Sequence, residues 1–213
     1  MKIKRKLAKK PQYLHSWAST LGNFADLEEN LGDTYSAIKH RYEIIEIYKK
    51  LPETPNNLRL LSSVINNLAL LEKKLGDTAS AIMNYEEAVE INRKLLKLAE
   101  TPQYFDNLAI SLTNLALLEK NLGVTDSAKK HFEEAVAIER QLPETSEYVH
   151  NLANALAGIA MLEKNLGDTN SAKKHLEEGL EISRKIGNKE DIKTIEMILL
   201  MLEHPELLKF LNS

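Results

Sequence analysis

Asn114 to Glu139 reads NLALLEKNLGVTDSAKKHFEEAVAIE, and this stretch recurs with small changes along most of the 213-residue chain. Its turn, LGVT at Leu122–Thr125, has counterparts in LGDT at Leu31–Thr34, Leu75–Thr78 and Leu166–Thr169. The glycines Gly32, Gly76, Gly123 and Gly167 are therefore 44, 47 and 44 residues apart. A fixed period of this size marks a stacked array, whose units are each too small to bury an apolar face alone.

Each unit reads as two helices, A before the glycine and B after it. In the third copy Leu108, Leu112, Leu115, Leu118 and Leu122 form one helical stripe, and Ala128, Phe132, Ala135, Val136 and Ile138 form the next. Small residues keep the same register. Ala25, Ala69, Ala116 and Ala160 stand seven before the glycine, and Ala37, Ala81, Ala128 and Ala172 five after it. Placed where antiparallel helices cross, they let the backbones approach, with Tyr85, Phe132 or Leu176 filling the next gap.

Asn-Leu-Ala before the turn, Gly-Asp, an Ala five later, an aromatic four beyond and a further Ala (Ala88, Ala135) together resemble the tetratricopeptide repeat, most closely its kinesin-light-chain type. The resemblance covers about residues 11–187. It implies an all-α, right-handed solenoid of four helical hairpins, and a function in binding proteins or peptides. The chain departs from the pattern in places. Glu28, Glu72, Glu119 and Glu163 stand where the family has an aromatic, Arg41 replaces the aromatic of helix B in the first copy, and Gly179 replaces the last small Ala of the fourth.

The domain reading is a basic helical stub at 1–10, four repeats at about 11–54, 55–101, 102–145 and 146–187, and a C-terminal cap at 188–213. By register Ile3 matches Ile47 and Leu7 matches Leu51, so residues 1–9 read as the last turns of a preceding helix B. The stub carries Lys2, Lys4, Arg5, Lys6, Lys9 and Lys10 and no acid; with a net charge of −3 overall, the remainder carries −9. That balance gives no blanket attraction to nucleic acid. There is no cysteine and no apolar run of membrane-spanning length, and the basic start lacks the apolar core of a signal peptide, so the expected compartment is the cytoplasm, with no membrane partner.

Thr54-Pro55 and Thr101-Pro102 predict helix starts with a side-chain cap and proline in the first turn, and Thr145 predicts a third. Helix A is then about 20 residues, roughly 30 Å. Asp33, Asp77 and Asp168 predict caps on helix B; Val124 cannot cap, which leaves Thr125 as the expected substitute. The 47-residue interval places three extra residues, nearly one turn, in the second helix B. Gly187-Asn188 reads as a helix end, Lys189–Glu203 as a capping helix with Ile192, Ile195, Ile198, Leu199 and Leu202 on one face, and ELLKFLN as a short terminal helix folded back on it.

His40, His131 and His175 share one repeat position, as do His15 and His150; equivalent positions about 10 Å or more apart cannot share a metal at about 2 Å per ligand, so these histidines read as a surface feature. The paired glutamates of helix B read as a solvated face. No HExxH, glycine-rich phosphate loop or nucleophile elbow is present, so no enzyme, cofactor or metal site is expected.

A second face of helix A carries the functional expectation. Ten, six and three residues before the glycine stand Asn66, Leu70 and Lys73, then Thr113, Leu117 and Lys120, then Ala157, Met161 and Lys164, with Gly22, Asp26 and Glu29 in the first copy. Beside them run Asn23, Asn67 and Asn114, with Gly158 in the fourth copy; Asn121 and Asn165 follow the lysines. The resemblance implies that this face lines a concave groove in which the asparagines hold the backbone of an extended peptide. A carboxamide offers both donor and acceptor for that role. The lysines, with Lys74, would favour an acidic segment. Two alternatives stand beside this reading. One is self-assembly through the N-terminal end or the apolar tail; the other is a regulatory fragment of a larger signalling protein.

Overall fold

The computed structural model describes residues 11–204 and Glu206; the basic stub and the apolar tail lie outside the described residues. The described residues form nine α-helices and no strand. Backbone contacts divide the chain into two units, 1–100 and 101–213.

The first unit holds α1 (Pro11–Asn30), α2 (Thr34–Tyr48), α3 (Pro55–Lys74) and α4 (Thr78–Leu98). α1 pairs with α2, α3 with α4, and α2 packs on α3. Trp17, Leu21, Ile44, Ile65, Leu68 and Ala88 make its main core, and Ala25, Ala37 and Leu71 a second cluster. The second unit holds α5 (Pro102–Asn121), α6 (Thr125–Glu139), α7 (Ser146–Asn165), α8 (Thr169–Ile186) and α9 (Lys189–Glu203). Here α5 pairs with α6 and α7 with α8, while α9 lies on α8 and α7. The eight alanines of the crossing positions are at most 1 % exposed.

The helix ends follow the sequence chemistry. Each first helix of a pair is 20 residues long. Thr54, Thr101 and Thr145 accept a backbone N–H three residues on, and so do Asp33, Asp77 and Asp168. The four turn glycines have φ between 80° and 84°, and the residue after each donates its N–H back five positions, as Asp77 does to the Glu72 carbonyl at 2.9 Å. Only a residue without Cβ takes this left-handed conformation without strain. At α6 the expectation of Thr125 as substitute cap is overturned. Val124 is the N-cap with no side-chain bond, and the serine three residues further on, Ser127, donates its hydroxyl to Glu119 instead.

Helix α4 is 21 residues against 15 in α2 and α6. The gain is twice the three inserted residues, because the segment that forms the turn Lys49–Leu51 after α2 stays helical in α4. No bulge interrupts it.

The glutamates at the family's aromatic position explain the histidines. Glu72, Glu119 and Glu163 are 3–6 % exposed. His131 Nδ1 lies 2.8 Å from Glu119 and His175 Nδ1 2.8 Å from Glu163; in the first copy His40 reaches Glu28 at 2.7 Å. In the second, Asn84 and Tyr42 take that place on Glu72. These histidines are therefore half-buried ties across the first, third and fourth hairpins, and not the surface feature that their spacing suggested. A carboxylate taken out of water needs such a donor. His15 and His150 have separate partners, the Tyr48 ring and Asp191.

The other departures also have local causes. Arg41, 4 % exposed where other copies place Tyr85 or Phe132, bonds Asp26 at 2.9 Å and Glu29 at 3.4 Å. Gly179 leaves room for Ile195, whose Cδ1 would lie 3.2 Å from an added Cβ. Ile195 is the buried centre of α9, with Ile198, Leu199 and Leu202 packed around it.

Candidate functional site: the inner helix face

In the first unit the anticipated face is largely taken up internally. Asp26 and Glu29 hold Arg41, and Lys74 Nζ donates to Glu29 at 2.7 Å, so Lys74 neutralises a carboxylate of its own chain. That hydrogen bond is the main reason the Glu29 carboxyl is held below its ordinary range. Asn66 donates to the Ser62 carbonyl of its own helix. Asn23 and Asn67 are exposed, Leu70 is 40 % exposed and Lys73 is half-buried.

In the second unit six of the anticipated positions line one cavity of about 300 Å³. Thr113, Asn114 and Leu117 of α5 face Ala157, Gly158 and Met161 of α7 across it, and Ile198 of α9 closes one side. Gly158 ends the asparagine column for a steric reason: a Cβ there would lie 2.4 Å from Cε1 of Phe132, which is fully buried. Lys120 and Lys164 are half-buried, outside the cavity lining, in the last turns of α5 and α7, where a helix C-terminus favours a cation. Asn121 and Asn165 are exposed and also off the cavity.

Four polar residues of this site escape the repeat comparison. Asn151 and Asn154 continue the α7 stripe toward its N-terminus, and Thr194 enters from α9. Glu139, the last residue of α6, borders the cavity although it is 3 % exposed. Among the described residues no donor reaches either of its oxygens. Its neighbour is Asp106, also 3 % exposed, and burial together with the Asp106 charge pushes Glu139 up to about 9. Glu139 thus keeps its proton and donates it to Asp106. Burial also raises Asp106, against the hydrogen bond from Asn151. Extending the inner stripe one and two turns before Thr113 and Ala157 reaches Asp106, Ile110, Asn151 and Asn154, so the signal for these was present. Glu139 had none, because its column holds Tyr48, Asn92 and Ser183 elsewhere.

Among the described residues no cluster of three or more His, Cys, Asp or Glu could hold a metal. No described helix is long and apolar enough to cross a membrane.

Comparison with known proteins agrees with this architecture. The tetratricopeptide repeat model matches residues 18–94 and 107–185. Among solved structures, BtubC (BKLC) from P. vanneervenii superposes with a TM-score of 0.68 at 19 % identity, over 96 % of this chain and 87 % of that one. Aspartyl phosphate phosphatase F from Bacillus subtilis gives 0.74 at 18 %, over 92 % of this chain and 49 % of that one. A structure of nearly identical kinesin-light-chain TPR-like repeats from Podospora anserina gives 0.61 at 17 %, over 92 % and 98 %. At such identities the likeness is one of fold. No curated protein sequence matches the chain. The spaced glycines, the paired helices and a family match over most of the sequence lead to one assignment: the chain belongs to the tetratricopeptide repeat family.

Proposed function

We propose that this protein is a non-catalytic scaffold that holds an extended segment of a partner protein against the inner faces of its helix pairs. The observation that carries the reading is the convergence of Thr113, Asn114, Leu117, Ala157 and Met161 on one cavity. Asn114 can bond both the N–H and C=O of an extended peptide unit, while Leu117 and Met161 offer apolar anchorage. Lys120 and Lys164, one turn toward the glycine end, suit an acidic residue of the segment. Most of the family's proteins serve as interaction modules, and a likeness to a phosphatase at 18 % identity brings no chemistry with it.

The test is a peptide-display selection on the full chain, followed by titration of the selected peptides. Ala157→Trp fills the cavity and should weaken binding by more than about tenfold, and Lys120→Glu with Lys164→Glu should do so for acidic peptides. Selected peptides that bind the Ala157→Trp protein unchanged would remove the cavity from the site.

A second reading, self-association, is favoured by one observation. Phe24 and Leu27 are 40 % and 52 % exposed, whereas their repeat equivalents Leu68 and Leu71, Leu115 and Leu118, and Ile159 and Leu162 are at most 2 % exposed. A mass by light scattering that stays monomeric across a concentration series ends this reading; one that rises, and falls back with Phe24→Lys, supports it.

A further inference from the structure

The polar end of the cavity in the second unit is built to accept hydrogen bonds. Asn151 and Asn154 stand one helical turn apart on α7, and both border the cavity. Asn151 Nδ2 donates to Asp106 Oδ1 at 2.7 Å. Asn154 Nδ2 lies 3.0 Å from His150 Nε2. His150 Nδ1 in turn lies 2.8 Å from Asp191 Oδ1. A carboxylate only accepts, so Nδ1 carries a ring proton; in the neutral ring Nε2 is then the acceptor that takes an N–H of Asn154. Asp191, 5 % exposed, is fixed by Asn188 Nδ2 at 2.6 Å on its other oxygen. Each carboxamide therefore commits one of its two N–H groups to the protein, and the Oδ1 of each stays available as an acceptor for a ligand.

A negative field lies behind them. Asp106 and Glu139 share one proton, which leaves one net charge, and both side chains are nearly closed to water. In such surroundings a charge acts further than it does in solvent. Among the cavity's lining residues no lysine or arginine offsets it.

We propose that this end of the cavity is a seat for a cationic side chain of the bound segment, an arginine guanidinium, with Asn151 Oδ1 and Asn154 Oδ1 as direct acceptors and Asp106 with Glu139 supplying the charge. The guanidinium is planar and presents a fork of N–H groups, which suits two carbonyl acceptors on one helix face. Its methylene stem would lie along Ile110, Ala157 and Ile198, which line the same cavity. The proposal rests on the groove reading and narrows it: the segment carries a basic residue at the α9 end and acidic residues toward the lysines.

The probe is L-argininamide, with the neutral isostere L-citrullinamide as control, titrated into the 213-residue chain and followed by the side-chain amide NMR signals of Asn151 and Asn154. Argininamide should give saturable shifts with Kd on the order of 1 mM, and citrullinamide should bind at least about tenfold more weakly. Asp106→Asn keeps the acceptor of Asn151 but removes the charge, and Asn154→Ala removes one acceptor from an exposed position; each should close most of that gap while leaving the melting temperature near that of the parent. Equal binding of the two amides, no saturation below about 10 mM, or a gap that survives both substitutions would overturn the proposal. A selected peptide that still depends on Ala157 while argininamide fails would remove the seat and leave the groove. Argininamide that binds while no peptide is selected would support the seat and remove the groove.

Discussion

Single residues set the helix ends and crossings of this protein, and three of them give direct tests. Val124 has φ −83° and ψ 67°, close to the −81° and 68° of Asp33, yet contributes no cap. Val124→Asp should therefore stabilise α6 by about 1 kcal/mol, read as a raised melting temperature. The two helix-interior glycines of the second unit should respond in different ways. At Gly158 a Cβ meets the fully buried Phe132 ring at 2.4 Å, so Gly158→Ala should cost about 1–3 kcal/mol despite alanine's better helix propensity. At Gly179 the nearest atom is the terminal methyl of Ile195 at 3.2 Å, which can yield by a few tenths of an ångström. Gly179→Ala should be neutral or stabilising by up to about 1 kcal/mol in the same denaturation series. Equal losses at both sites would mean that the ring contact does not govern the fourth pair.

Helices were the level at which the sequence spoke most clearly. The glycine period, the capping threonines and aspartates and the alanine columns are short-range or strictly repeated signals, so bounds such as Pro55–Lys74 follow from them directly. What stayed hidden depended on contacts between distant residues. The position of His131 eight residues after its glycine cannot show that Glu119 lies across the turn with a carboxylate in need of a donor. Nor does Glu139 look special at the end of α6 until Asp106 is brought against it from α5. That pair makes stability depend on pH. Folding raises the Glu139 carboxyl from its ordinary 4.5 to about 9, so the folded state holds a proton that the unfolded chain has lost. The contribution is complete below about pH 4.5 and disappears as pH rises toward 9. Asp106 on α5 is the ionisable neighbour coupled to it, and the Glu147 charge on α7 acts in turn on Asp106. Glu139→Gln should flatten the fall in melting temperature between pH 6 and 9, each kcal/mol corresponding to roughly 4–8 °C in a unit of this size. An unchanged slope would place the proton elsewhere.

At the scale of the whole molecule, the chain resolves into two units with different inner faces. The unit at 1–100 occupies its face with Arg41, Asp26, Glu29 and Lys74, while that at 101–213 keeps a cavity. In a repeat protein, stability is a sum of local terms and is lost locally. Hydrogen exchange on Gly158→Ala should therefore show lost protection concentrated in α5–α9, with α1–α4 close to the parent; uniform loss would mean that the units open together. The inner face of α5 and α7 also has two chemically distinct ends. Carboxamides and the Asp106–Glu139 pair lie toward the helix starts, and Lys120 and Lys164 lie at the last turns. A ligand chain running one way across such a surface meets complementary charge, and the same chain reversed meets like charge. If the proposed function holds, this face discriminates between a peptide and its retro-sequence, two ligands of identical composition, and recognises the order of residues as well as their kind.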